Sequence, residues 1–435
     1  MKLVQGLILC SVFFSFVAGA QLKEFSVEKY KLKNGMTVLL HQDSRLPIYS
    51  LHLWYDVGSG DEDPGRTGLA HFFEHLMFKG THKNKEGVYD DAIENNGGNN
   101  NAFTNRDNTG YYVEMPAGTL EEVLKLEADR MVNLNLTEDK IKREREVVKE
   151  ERRMRVENSP FGLALESLFS NAYAQSSYRW SVIGSMKHLE NSSVSDFQNF
   201  YDQYYAPNNA VLVIVGDFKK SKAKKWIKKY FGDHKPKSIL RRKNGSKIFG
   251  KGGRNIKIKK PVQSRIVAAS LPGASILEDD AYALDLLTTI LAGGTSSRLH
   301  KKLVDEKKYN LSASSWNYTP AQEGLLMFFN TLRPGANVSR MKSTFRNVLI
   351  KAAREGVTLE ELKAAKKMLL VSSVGSYKTL SGKAQGLAVN EVVFKDYKRL
   401  FTDNDKYQKI TLTQVNAVAK KYLDMSKLNM IEVGK

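Results

Sequence analysis

His71-Phe72-Phe73-Glu74-His75 puts two imidazoles and a carboxylate within five residues. On a helix, residues i and i+4 share a face, so His71 and His75 can aim at one cation. Glu74, three residues after His71, lies beside the same face. Imidazole suits zinc, and a carboxylate that binds no metal can act as base toward a water the metal activates. A lone histidine near an apolar face is usually just a packed side chain. This chain, however, has only 8 histidines, and two of them stand here with an acid between them. The order H-x-x-E-H is the inverse of the common zinc-hydrolase motif. A three-ligand site of this kind needs one more protein ligand, with the fourth position left to water. The best source is Arg143-Glu-Arg-Glu-Val-Val-Lys-Glu-Glu151, and spacing alone does not choose among Glu144, Glu146, Glu150 and Glu151.

These residues need elements to hold them. Leu69, Phe72, Phe73, Leu76 and Met77 recur at helical spacing, so Thr67–Gly80 is expected to be a helix closed by Gly80. A second helix is expected over 138–157, with Thr137 as N-cap and Lys140 where a Glu would complete a capping box. On it Glu144 and Glu151 share a stripe, with Val147 and Val148 between them. A further helical pattern covers about 118–133. Tyr30 to Leu40 reads as a hairpin turning at Asn34-Gly35, and Tyr49–Val57 as a strand. The acidic turn Ser59–Pro64 leads into the histidine helix. Asn95 to Glu114 reads as a turn-rich loop and a strand pair. Tyr204 to Gly216 contains a buried strand after a turn.

In these features the chain resembles the inverzincin peptidases of the pitrilysin/insulinase family, most of all its shorter bacterial and mitochondrial-processing-type branch. The resemblance covers nearly everything beyond the first two dozen residues. In that family the third zinc ligand is a glutamate about 76 positions after the second histidine, with another acid seven before it. Glu151 and Glu144 stand at those places. The resemblance therefore implies Zn2+, one per chain, on His71, His75 and Glu151. Glu74 is then the catalytic base and Glu144 a supporting group, with Glu150 the ligand if the register differs by one. It also implies that the strand after the Gly-Gly loop is a sheet edge near the zinc. There Asn101, Ala102 and Phe103 would hold an extended peptide by backbone hydrogen bonds.

The second half echoes the first. Tyr422 to Gly434 repeats the pattern of Tyr205 to Gly216, and Leu284 to Thr295 repeats His71 to Thr81. In that alignment Asp285, Thr288 and Thr289 fall where His71, Glu74 and His75 stood, so the copy keeps a helix and loses the chemistry. The expected fold class is α+β: two homologous domains, each an antiparallel sheet flanked by helices on one side. In the family such halves face each other around a closed chamber. One departure stands out. After Thr295-Ser-Ser-Arg-Leu299 the family places an Arg and a Tyr that bind substrate across the chamber. Here Asp305 stands at the Arg place, and Ser312 or Ala313 at the Tyr place. Some family members divide these roles between two subunits. The resemblance thus implies a heterodimer in which a homologous partner lacking H-x-x-E-H supplies Arg and Tyr. The alternatives are a self-sufficient homodimeric oligopeptidase and a non-catalytic scaffold subunit.

Met1-Lys2, the apolar run Leu3–Val17 and small residues to Ala20 read as a signal peptide, residues 1–20, and so as export to the periplasm. The run is short for a stable membrane span. The one cysteine, Cys10, lies in it, which leaves no disulfide and no thiolate ligand for the mature chain. The expected organisation is a zinc-binding domain at 21–233, a basic linker at 234–255 and a metal-free homologous domain at 256–435. The formal charge of +20 raises nucleic acid as a partner. The basic residues are spread along the chain, however, and no nucleic-acid motif accompanies them. Peptides are the expected partners.

Overall fold

The computed structural model describes residues 24–241 and 249–435. The expected leader, Cys10 and positions 242–248 of the linker lie outside those residues. In the first half the elements are β1 (Glu28–Lys31), β2 (Thr37–Gln42), β3 (Ile48–Tyr55), α1 (Leu69–Leu76), α2 (Val88–Glu94), β4 (Asn99–Thr104), β5 (Thr109–Pro116), α3 (Leu120–Val132), α4 (Glu138–Arg152), α5 (Pro160–Ala172), α6 (Met186–Glu190), α7 (Val194–Tyr204), β6 (Ala210–Gly216) and α8 (Lys220–Phe231). In the second half they are β7 (Asn255–Ile258), β8 (Ile266–Pro272), α9 (Asp280–Ala292), β9 (Asn310–Tyr318), β10 (Leu325–Leu332), α10 (Val338–Glu355), α11 (Leu359–Ser376), α12 (Leu380–Phe394), α13 (Arg399–Lys409), α14 (Leu412–Tyr422) and β11 (Asn429–Val433).

The fold is α+β, with two sheets flanked by helices. Strand order is β1-β2-β6-β3-β5-β4 in one sheet and β7-β11-β8-β10-β9 in the other. From β2 onward the two orders are the same, and so are the strand directions: a parallel first pair, then antiparallel neighbours. The parallel pairs, β2 with β6 and β7 with β11, qualify the expectation of wholly antiparallel sheets. β6 and β11 each close their half after long helical excursions, and a parallel neighbour needs such a crossover.

The helices are also not confined to one side. β6 is apolar and buried at every position. A strand of that kind needs cover on both faces. One face of its sheet packs on its own half, where Phe72, Phe73, Phe197 and Tyr205 join Leu51 and Leu53. The other face carries Trp54, Val213 and Val215 and is covered by Ala384, Leu387 and Ala388 on α12, from the second half. Reciprocally, α5 of the first half lays Ala164 and Leu168 on Ala268, Ile431 and Val433 of the second sheet. Each fully buried leucine there contributes on the order of 2 kcal/mol, so the crossed helices bind the halves into one unit.

Local boundaries follow from backbone chemistry. The first helix is shorter than expected, Leu69–Leu76, because Gly68 takes φ +94° and starts it late. At its other end Phe78 N–H turns to His75 O in a tighter turn, and Gly80 at φ +82° redirects the chain. The second helix is α-helical only to Arg152, and 153–157 continue as a π-helical turn. Of the stretch 204–216, only Ala210–Gly216 is strand, since Tyr204 ends α7 and Pro207–Asn209 form one 3-10 turn.

Candidate metal centre

Glu62 sets the start of α1. Its carboxylate accepts the Gly68 and Ala70 amides at 2.9 and 2.8 Å. These are donors that a first helical turn leaves unpaired, and an acid suits the positive helix end. Burial pushes the Glu62 carboxyl up to about 8, with the two amides opposing it. Phe72 and Phe73 then anchor α1 in the core against Phe197, Tyr201 and Tyr205. That leaves His71, Glu74 and His75 along a cleft of about 920 Å3.

α4 supplies the opposite wall. Ile141 and Val148 point into the core, and Arg152 is tied to Gly184 O at 2.5 Å and to Glu166 at 2.9 Å. This rotation turns Glu144 and Glu151 toward the histidines. Glu151 Oε2 lies 3.5 Å from His71 Nε2 and 3.3 Å from His75 Nε2. Glu150 instead pairs with Arg153 at 2.9 Å, and Glu146 with Lys149 at 3.2 Å. Glu144 Oε1 accepts from His75 Nδ1 at 2.9 Å, and its Oε2 meets Lys79 Nζ at 2.9 Å. The Glu144 bond leaves His75 Nε2 free to face the cleft. His71 Nδ1 is buried without a hydrogen-bond partner.

These residues fit a zinc ion. One ligand atom from each of His71, His75 and Glu151 lies within 4.8 Å of the others, the one such group among the described residues. Glu151 Oε2 is buried with no hydrogen-bond partner although two imidazole nitrogens face it. An orphaned carboxylate oxygen between two such nitrogens is what a cation would satisfy. Ligands about 2.0–2.1 Å from a tetrahedral zinc lie roughly 3.3–3.4 Å apart, close to the 3.5 and 3.3 Å from Glu151 Oε2 to the two imidazoles. The nitrogen-nitrogen-oxygen set is also one zinc accepts in hydrolases.

The electrostatics split the two histidines. Burial, reinforced by the neighbouring His75, drives His71 down to about 4. Burial works the same way on His75, but Glu144 and Glu151 outweigh it and push that imidazole up to about 9. Burial would raise Glu151 as well, yet His75, His71 and Arg155 hold it below the ordinary carboxylate range. Burial raises Glu74, and a hydrogen bond from Thr104 works against that rise.

β4 is the free edge of the first sheet. Asn101, Ala102 and Phe103 on it line the same cleft as the histidines. The Ala102 amide donates to the side chain of Asn101 at 2.8 Å, so that edge donor is held by a group a peptide could displace. Phe103 is braced edge-to-face on Trp54. Thr104, at the end of β4, donates from Oγ1 to Glu74 Oε2 at 2.5 Å.

Sequence reasoning missed four groups here. Thr104 gave no signal, because its partner is a helix away. Lys79 and Arg155 stand four residues from His75 and Glu151, a spacing that could have pointed to them. Glu62 lay in the acidic turn already noticed before α1. In the second half, Asp285, Thr288 and Thr289 sit on α9, and both threonine hydroxyls bond back to helix carbonyls. Asp305 faces His300 at 3.7 Å, Ser312 is exposed on β9, and Ala313 is buried.

Two consequences are measurable. Thr104→Val should lower kcat about 10- to 100-fold with little change in KM, the worth of a hydrogen bond to a charged group, and Thr104→Ser should restore it. Glu144→Gln should weaken zinc binding about 10- to 100-fold, as loss of a ligand's outer partner typically does. Equilibrium dialysis against a zinc indicator reads the second effect directly.

Comparison with known proteins gives the family and the fold. The family described as "Insulinase (Peptidase family M16)" matches residues 37–185, and the "Peptidase M16 inactive domain" matches 192–369. The chain is 32% identical over 390 residues to zinc protease PqqE of Helicobacter pylori, covering 86% of this chain and 87% of that one. It is 24% identical to the uncharacterized zinc protease YmxG of Bacillus subtilis, over 91% and 95% of the two chains. A solved protease from Helicobacter pylori superposes with TM-score 0.88 at 29% identity, covering 94% of this chain and 99% of the other. Its fold is also that of a peptidase M16 inactive domain protein from Pseudomonas fluorescens, with TM-score 0.84 at 21% identity over 94% and 98%. The two family matches follow one another on one chain, the first over the H-x-x-E-H motif and Glu151, the second from α7 of the first half to α11 of the second. The chain belongs to the insulinase family of peptidases, family M16.

Proposed function

We propose that the chain is a zinc-dependent endopeptidase or oligopeptidase that cleaves unfolded peptides. The carrying observation is that His71, His75 and Glu151 converge beside Glu74 and the free edge of β4 in one cleft. His71, His75 and Glu151 would hold the ion. When bound, zinc supplies a Lewis acid that polarises a carbonyl and makes water easier to deprotonate. An extended peptide adds to β4 through backbone hydrogen bonds along Asn101–Phe103, taking the Ala102 amide from the Asn101 side chain. Glu74, steered by Thr104, takes the proton from the attacking water and returns it to the leaving amine. Val147 and Met154, both largely exposed at the cleft, offer apolar surface to peptide side chains.

In this reading residues 21–233 carry the chemistry and 256–435 form the second wall of a chamber, with 234–255 between them. The leader, 1–20, would send the chain to the periplasm. A homologous subunit without the zinc motif supplies an Arg/Tyr pair, because Asp305, Ser312 and Ala313 cannot. A second reading, a self-sufficient oligopeptidase, is favoured by Arg155, which reaches the cleft and pairs with Glu151 at 2.9 Å. A guanidinium already beside the site could take the partner's electrostatic role. The test is peptide cleavage by the purified mature chain, with bound metal quantified, with and without a chelator. One zinc per chain and no cleavage until a partner is added supports the heterodimer. Chelator-sensitive cleavage by the lone chain supports the self-sufficient enzyme. Neither zinc nor cleavage makes it a scaffold subunit.

A further inference from the structure

The second half has a cavity where the first has its cleft. About 350 Å3 lies among α9, α11, α12 and α13. The correspondence is positional. α9 takes the place of α1 and carries Asp285 where α1 carries His71. Counted from the N-caps Thr137 and Thr358, Ser372 stands at the place of Glu151 and lines the cavity. Loss of the metal ligands has not filled this space with apolar side chains.

Asp285 is the unusual group in it. Its carboxylate accepts from Tyr407 Oη at 2.5 Å and Asn317 Nδ2 at 2.8 Å, both neutral donors. Loss of water around it raises the carboxyl above its ordinary range, against those two bonds. The nearby cations serve other partners. Arg399 lies 3.4 Å from Asp403, bonds Tyr282 Oη at 2.5 Å and stacks on Phe394. Lys406 lies 3.4 Å from Asp403 and 3.1 Å from Tyr282 Oη. A desolvated acid held only by neutral groups in a chain of charge +20 is a place for a cation that the chain itself does not supply. Another group at the cavity has an unpartnered atom. Asn404 is 9% exposed and lines the cavity, and its Nδ2 is buried with no hydrogen-bond acceptor. Leu369, Val389 and Phe394 line the same cavity.

We propose that this cavity is a binding site for a basic amino-acid residue, its ammonium or guanidinium group on Asp285, its methylene stem along Leu369 and Val389, and a carbonyl oxygen on Asn404. The need for an acceptor beside the cation separates this ligand from a bare diamine. Its source is either the free amino acid or a lysine or arginine within a peptide. The site is independent of the metal chemistry.

Isothermal titration of the full mature chain tests it, with L-lysine, N-acetyl-L-lysine amide and the neutral analogue N-acetyl-L-norleucine amide as probes. One lysine compound should bind per chain, with the norleucine analogue at least about tenfold weaker. Tighter binding of the amide identifies the peptide source, and tighter binding of free lysine the amino acid. Asp285→Asn should abolish binding and Asn404→Ala should weaken it, each checked for an unchanged thermal transition. Failure of both lysine compounds to saturate the wild-type chain overturns the proposal whatever the variants do. Equal binding of the norleucine analogue overturns the cation site.

Discussion

Glu74→Gln is expected to abolish peptide hydrolysis while leaving one zinc per chain. The amide keeps the size and shape of the side chain, and its oxygen can still accept from Thr104 Oγ1 at the place where Glu74 Oε2 now does. What it cannot do is take a proton from water. A positioned general base contributes about 10²- to 10⁴-fold, so residual turnover should fall by at least the lower figure. His71 and His75 flank position 74 on α1 and keep their anchors, Glu62 at the helix start and Glu144 on His75, so metal content should not change. Elemental analysis and a peptide-cleavage assay on the same preparation read both halves of this expectation. Normal turnover by the variant would remove Glu74 as the base.

Glu151→Gln is expected to do the reverse and empty the site. Glu151 Oε2 is the carboxylate oxygen that faces both imidazole Nε2 atoms, and its other oxygen is held by Arg155 at 2.9 Å. An amide removes the negative charge and leaves Arg155 without its partner. Losing an outer partner of a ligand costs about 10- to 100-fold in affinity, so losing a charged ligand should exceed that range, and activity should fall with occupancy. Tight stoichiometric zinc in the variant would move the ligand role to Glu150, which now pairs with Arg153. The two substitutions therefore separate holding the ion from using it.

Much of this chain can be read from short-range pattern. The i, i+4 spacing of His71 and His75 is set within one helical turn, and no distant contact alters which residues share that face. Asn34-Gly35 turns between β1 and β2, although the loop is five residues long, Leu32 to Met36. The apolar run of β6 is buried throughout, and its repeat in β11 correctly foretold a second sheet of the same plan. The same run carries a further signal, since a strand apolar at every position has two faces to cover. What covers them comes in part from the opposite half of the chain, α12 over one sheet and α5 over the other.

The motif, the helices and strands that bear it, the doubling of the fold and the absence of H-x-x-E-H from the second copy are all legible in the residues alone. The motif and its elements depend on residues within a turn or a strand of one another, and the doubling on two copies of such local patterns compared along the chain. Spacing left Glu150 and Glu151 equivalent and the resemblance favoured Glu151; the fold turns Glu151 to the histidines and Glu150 to Arg153. That choice rests on the rotation of α4, set by Ile141 and Val148 in the core and by Arg152 on Gly184. It also brought Thr104 to Glu74 and left Asp285 desolvated without a cation. Adjacent carboxylates on a charged helix are equivalent until packing turns one of them inward, and packing is made by residues far apart in the chain.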